Sequence, residues 1–451
     1  MKESFLLNSE KANLLYSYVR DLPIVDYHNH LSVQEIKENK RFLDVYEVWI
    51  KPDPYKHRAM RMCGVDEMYI TGSATNTEKF IKWCETLPKL IGNPLHHWSM
   101  MELDMIFHIK ESPNADNAAE IYERCNQYLA ENVVDVSSIL KQFSVSDLCP
   151  CASLSDDLDM FSGQEGVAPS LRGDDVVNLN ADYVHKLQNV SGIKIKDLSS
   201  FEAAIWERIQ TFYDAGCRFA DHALDDGFTF YPDDGNNAKR FEAVCKGTIQ
   251  LEEWKKLASY LLVFMGECYA KVGFVMQLHI GAKRYTSSKL RAQVGPNGCF
   301  AGIGNNVKVK SITDLLDCID NREYGLPKIM LFTINPADNA IYSVLSGSYA
   351  KKGVSGLITQ GPAWWWSDHK QGLVEMLEYI TSYSILSNFM GMTTDSRSFL
   401  SFVRHDYFRR ILCSWVAEKA DCGDFPDDME ELKTLVYKLC YQNAKDNFGG
   451  I

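Results

Sequence analysis

Residues 9–20 place apolar side chains at helical intervals behind Ser9, whose hydroxyl can cap a first turn, and so predict a leading helix. The pattern then changes. Pro23-Ile24-Val25-Asp26-Tyr27-His28-Asn29-His30-Leu31 reads as a short buried strand ending in two alternate histidines, which share a face because strand side chains repeat every second residue. From about 38 to 145 the text is helical and aromatic-rich, which predicts a helical insertion after the first strand. Beyond 145 strands and helices alternate. Candidate strands are 145–148, 176–179, 218–220, 273–278, 328–331, 355–358 and the approach to Met392, with helices such as 250–271 and 371–388 between several of them. With no internal repeat or linker-like segment, this predicts one parallel α/β domain over 1–451, a (β/α)8 barrel with a helical insertion.

Polar residues recur near these strands: Arg172 before one, Asp221-His222 after another, then His279, Asn335, Trp364 and Asp395. A barrel gathers such residues at the C-terminal ends of its strands, in one site. First and last strands are neighbours in a closed barrel, so Asp395 is expected beside His28 and His30. Two imidazoles and a carboxylate suit one divalent metal ion, zinc first, with manganese, cobalt, nickel or iron also compatible. Each residue has a plainer reading. Asp395 within Thr394-Asp395-Ser396 suits a helix N-cap, Arg172 could pair with Asp174 or Asp175 at the surface, and His279 could be a satisfied structural histidine.

Composition narrows the function. A balance of 47 basic against 60 acidic residues argues against a general nucleic-acid or anionic-membrane surface, so an anionic substrate needs dedicated arginines. The first residues lack the basic-then-apolar order of a signal peptide, and no run of about 18 apolar residues suggests a membrane span; a cytoplasmic protein is expected. Thirteen cysteines, an odd number, fit reduced thiols, and Cys149-Pro150-Cys151 is too short for redox or zinc-ribbon spacing and reads as structural.

Asp26-Tyr27-His28-Asn29-His30 resembles the first-strand motif of the amidohydrolase superfamily. Further segments, 92–103, 216–225, 277–282, 332–339, 361–366 and 394–412, make the chain resemble the uronate isomerase (glucuronate isomerase) family over nearly its whole length. The resemblance implies aldose-to-ketose isomerisation of hexuronates, D-glucuronate to D-fructuronate and D-galacturonate to D-tagaturonate. It also implies one metal ion on His28, His30 and Asp395, with Tyr55, Asp395 and Arg397 as catalytic residues. Arg172 would hold the substrate carboxylate, and His279 and Trp364 would complete the pocket. A guanidinium beside Tyr55 would favour its phenolate, making it the base or relay for proton transfer between C2 and C1. The chain departs from the family where many relatives read Asp-His-Tyr-Lys-Trp-Arg: here Pro54 replaces the histidine, whose role is lost or passed to His57. The expected partner is a small-molecule hexuronate, without nucleic acid or membrane, and a homo-oligomer is expected. The alternatives are a metal-dependent hydrolase of the same superfamily and a catalytically silent sugar-acid binding protein.

Overall fold

Ser9 caps the leading helix, Glu10–Val19, by accepting from Ala12 N at 3.1 Å, and the helix delivers the chain into β1, Ile24–Asn29. This computed structural model describes residues 2–296 and 298–448; the expected extent of 1–451 runs beyond them at both ends. The chain between β1 and β2, Val145–Ser153, is helical. β3, Ser170–Arg172, β4, Phe219–Leu224, and β5, Val275–Ile280, follow. A two-stranded hairpin of β6, Ala282–Lys283, and β7, Gly302–Ile303, precedes β8, Lys328–Thr333, and β9, Ile358–Gln360. The main sheet runs β1-β2-β3-β4-β5-β8-β9, every pair parallel. All six residues of β5 are buried, as expected of a parallel strand covered on both faces. The sheet curls as a TIM-type barrel does, with helices such as Leu251–Val272 and Lys370–Tyr383 outside.

Two sequence expectations fail for local reasons. Residues 176–179 do not form a strand: Asp174 and Asp175 open a one-turn helix, Asp174–Val177, whose first turn favours acidic side chains. The strand lies earlier, so Arg172 ends β3 instead of preceding a strand. The approach to Met392 is also not a regular strand. Side chains take over the pairing there: Thr393 Oγ1 accepts from His28 N at 3.0 Å, and Asp26 Oδ1 accepts from Thr394 N at 2.7 Å. Asp395 N still donates to His28 O and His30 N to Ser396 O, at 3.1 and 2.8 Å, so 391–396 lies along β1 in the eighth position.

The two ends of the chain are tied together. Arg409 on the helix Val403–Asp421 donates to Arg20 O and Pro23 O, both at 3.0 Å, and Arg410 and Asp406 hold Tyr16. Inside the barrel Tyr27 stacks on Phe219, with Phe448 of the last helix packed beneath. That apolar floor leaves the opposite, C-terminal rim of the strands for polar side chains.

Candidate metal and substrate site

The rim opens into a cavity of about 790 Å³ whose lining includes His28, His30, Tyr55, Arg58, Arg172, Asp221, His279, Trp364, Asp395, Arg397 and Arg404. The residues expected to carry chemistry are therefore brought to one place, whereas His222, paired with Tyr269, and Asn335, which donates to Asn306, are not in the lining. His28 and His30 stand edge to face, 5.3 Å between ring centroids. Asp395 has a left-handed backbone, φ 45°, a conformation a short polar side chain tolerates better than most. Its Oδ1 lies 3.4 Å from His28 Nε2 and 3.2 Å from His30 Nε2. Burial alone would raise the Asp395 pKa, but the two imidazoles hold it well below the usual carboxylate range. The donor set fits a divalent ion: two nitrogens and a carboxylate oxygen face one another in a buried recess. Two further donor groupings share His28, one with His30 and Cys151 and one with Asp221 and His279, each with donor atoms within 4.8 Å of one another.

Tyr55 is set by its own helix. Asp53 caps Pro54–Met62 by accepting from Tyr55 N at 2.9 Å, and Pro54 occupies the first position, where no N–H is needed. Buried Lys56 locks this turn through Asp53 at 2.9 Å and Glu102 at 3.1 Å. Glu102 belongs to the helix Pro94–Phe107; the aromatic segment 92–103 thus buttresses the site from behind and is not part of the cavity lining. His57 turns away as well and is absent from the lining, so it does not stand in for the histidine replaced by Pro54. Arg58, one turn on from Tyr55, does share its face.

The expected phenolate-favouring environment is not what surrounds Tyr55. Burial first, then the Asp368 and Asp395 carboxylates, push its pKa well above 10, with Arg404 acting in the opposite sense. The guanidiniums of Arg58 and Arg404 lie 5.0 and 5.1 Å from the ring centroid. Arg397 lines the same cavity, and among the described residues no hydrogen bond or ion pair ties its guanidinium to the protein.

Arg172 does pair with Asp174, Nη2 to Oδ2 at 3.1 Å and Nε at 3.2 Å, yet the pair sits at the cavity wall and not on an outer surface. One carboxylate oxygen takes both contacts, which leaves the Nη1 side of the fork for another acceptor. In β5, residue 279 faces inward. His279 stacks on Phe332, 4.5 Å between centroids, and meets Trp364 edge-on at 4.8 Å. Burial, the largest cause, keeps its imidazole well below 6.5 and therefore neutral. Trp364 is buried and forms an apolar wall.

Several residues escaped the sequence reading. Arg58 was signalled by its three-residue spacing from Tyr55. Arg404 had no local signal: it is buried, donates to Thr394 O at 3.1 Å, approaches Asp368 at 3.5 Å and stacks on Trp98 at 4.1 Å. The structural reading of the cysteine pair holds for Cys149, which is packed in the barrel core, but not for Cys151. Two residues along the same inward face, its sulfur lies 3.5 Å from His28 Nδ1 and 3.8 Å from Asp221 Oδ1. Burial raises Asp221 towards neutrality, whereas at Cys151 the imidazoles of His28 and His30 outweigh burial and lower the thiol.

Comparison with known proteins agrees over the whole length. The family model for glucuronate isomerase matches residues 1–448. The uronate isomerase of Bacillus licheniformis is 38% identical over 460 residues, 99% of this chain and 97% of that relative. That of Caldanaerobacter subterraneus subsp. tengcongensis is 38% identical over 464 residues, 100% of this chain and 99% of the relative. The crystal structure of uronate isomerase from Thermotoga maritima superposes with a TM-score of 0.92 at 30% identity, covering 99% of both chains. Among the described residues no helix is long and apolar enough to cross a membrane. On the full-length family match, the relatives and the shared fold together, the chain belongs to the glucuronate isomerase family.

Proposed function

We propose that this uronate isomerase interconverts D-glucuronate with D-fructuronate and D-galacturonate with D-tagaturonate, using His28, His30 and Asp395 to hold one divalent ion. The observation that carries this reading is the placement of Asp395 Oδ1 within 3.4 and 3.2 Å of two imidazole nitrogens, in the cavity that Tyr55, Arg172 and Arg397 also line. Zinc fits the nitrogen and oxygen donors, and when bound it supplies Lewis-acid polarisation of the sugar oxygens.

The remaining work falls to the chain. Arg172 takes the substrate carboxylate on the free side of its guanidinium, because a fork can serve two carboxylates at once. Trp364 covers the sugar ring, and neutral His279 offers a hydrogen bond to a hydroxyl. The reaction moves a proton from C2 to C1 through an enediol, which needs a relay near both carbons. Tyr55 fills that role, with Arg397 facing the reacting end and Arg404 opposing the two carboxylates that, with burial, keep the phenol protonated. Asp395 shuttles the hydroxyl proton. All thirteen cysteines are free thiols, which supports a cytoplasmic setting; we propose a homo-oligomer there, each subunit one domain over 1–451 with 38–145 as an insertion.

The test is purified protein with a defined metal and either hexuronate in deuterated water. Ketose formation with deuterium at the transferred position is expected. Turnover of an ester or amide without ketose, or tight sugar binding without turnover under every metal, would refute it.

A further inference from the structure

A histidine that binds a metal through one ring nitrogen needs its other N–H engaged, since that contact fixes the tautomer and the ring orientation. The usual acceptor is a carboxylate, a carbonyl or water. His28 turns Nε2 toward Asp395; with that nitrogen given to the ion, the proton is left on Nδ1, which faces the other way. The nearest carboxylate on that side, Asp221, stops 4.0 Å short, too far for a direct hydrogen bond. Cys151 fills the gap, with its sulfur 3.5 Å from Nδ1 and 3.8 Å from Asp221 Oδ1. Sulfur is large enough to span both distances, and a thiol both donates and accepts.

The alternative role, sulfur as a direct ligand, fits less well. His28, His30 and Asp395 are among the residues lining the cavity, whereas Cys151 is not among them. An imidazole gives one lone pair to one ion, so donors on opposite edges of His28 cannot both join the same ion through that ring. With Asp395 at Nε2, Cys151 is left at the Nδ1 edge of His28, where its partly exposed sulfur also lies near His30.

We propose that Cys151 is a positioning residue: its sulfur accepts the Nδ1–H of His28 and shares one proton with Asp221 Oδ1, so that the Nε2 lone pair stays aimed at the ion. The relay Asp221–Cys151–His28 replaces a direct carboxylate–histidine contact with one that passes through a thiol. This rests on the reading of His28, His30 and Asp395 as the metal-holding set. It gives a thiol beside the histidines control over metal affinity.

The test measures metal binding directly, by titrating zinc against a competing chelator and by recording the absorption of the cobalt-substituted protein. Cys151→Ala and Cys151→Val both remove the link, and valine keeps the volume and the strand preference should alanine leave a damaging cavity. Each is expected to weaken binding by about 10- to 100-fold and to shift the visible cobalt bands. Cys151→Ser, which retains a donor and an acceptor, is expected to recover most of the loss, and Cys149→Ala, one thiol deeper in the same strand, to leave affinity unchanged. Unchanged affinity in both the alanine and valine variants would overturn the proposal while leaving the metal reading intact. So would a sulfur-to-cobalt charge-transfer band in the wild type that vanishes in Cys151→Val, because it would put the sulfur on the ion. Failure of the wild type to bind a stoichiometric ion would instead remove the metal reading itself.

Discussion

Replacing Arg172 with methionine keeps most of the apolar stem and removes the guanidinium. Hydrogen bonds to a charged partner contribute about 1.5–3 kcal/mol each, so a two-point contact with the substrate carboxylate amounts to roughly 3–6 kcal/mol. Arg172 is 32% exposed, which screens the contact and favours the lower end, about 3 kcal/mol. At about 1.4 kcal/mol per factor of ten, KM for either hexuronate is expected to rise by roughly 100-fold, with a smaller change in kcat. Arg172→Lys, with charge but no fork, is expected to fall between. Initial rates over a range of hexuronate concentrations measure this, with thermal unfolding as a control. If the arginine serves only Asp174, the methionine variant will lose stability and leave KM where it was, and that outcome refutes the assignment.

Tyr55→Phe is expected to abolish exchange of the C2 proton with solvent while metal content stays at the wild-type level; exchange at the normal rate would remove Tyr55 from the proton path. Asp395→Asn suits the same left-handed backbone but exchanges the charged oxygen for a neutral amide, so zinc affinity should fall by about 100-fold or more, measured by chelator competition. Burial pulls the His57 pKa from 6.5 down to about 4. Between those values the unfolded chain binds a proton that the folded chain does not, so stability should fall by up to about 3 kcal/mol as pH drops through that window. His57→Gln should flatten this dependence in denaturant titrations; an unaltered slope would show that His57 is not the group responsible.

Much of this site was legible because its residues sit in short regular strands. His28 and His279 follow from a period of two near a strand end and Asp395 from barrel closure, whereas Asp221, expected after a strand, lies inside β4. Prediction failed where side chains overrode local pattern. Val176 and Val177 look like a strand, yet Asp174 and Asp175 just before them start a helix, and the valines are buried from that helix instead. The stretch at Met392 looks like a strand as well, but Thr393 and Thr394 bond to Asp26 and break the ladder. Arg404, Asp368 and Cys151 were beyond reach because their importance lies in contacts across the barrel. Tyr55 shows a further limit: the sequence lists the charges nearby, but only the packing tells that burial and two carboxylates outweigh the guanidiniums.

The pairing between β1 and 391–396 joins residues 365 to 368 positions apart. A ribosome adding about 5–20 residues per second would therefore leave roughly 20 to 70 s between the appearance of His28 and that of Asp395. Throughout that interval the outer edge of β1 is an unpaired template, and His28 and His30 lack the Asp395 carboxylate that faces them in the folded chain. Barrel closure, the Asp395 carboxylate and the Phe448 end of the apolar floor all arrive with the last part of the chain. The nascent protein thus has a late, nearly simultaneous maturation step, and co-translational chaperoning should matter most for the open β1 edge.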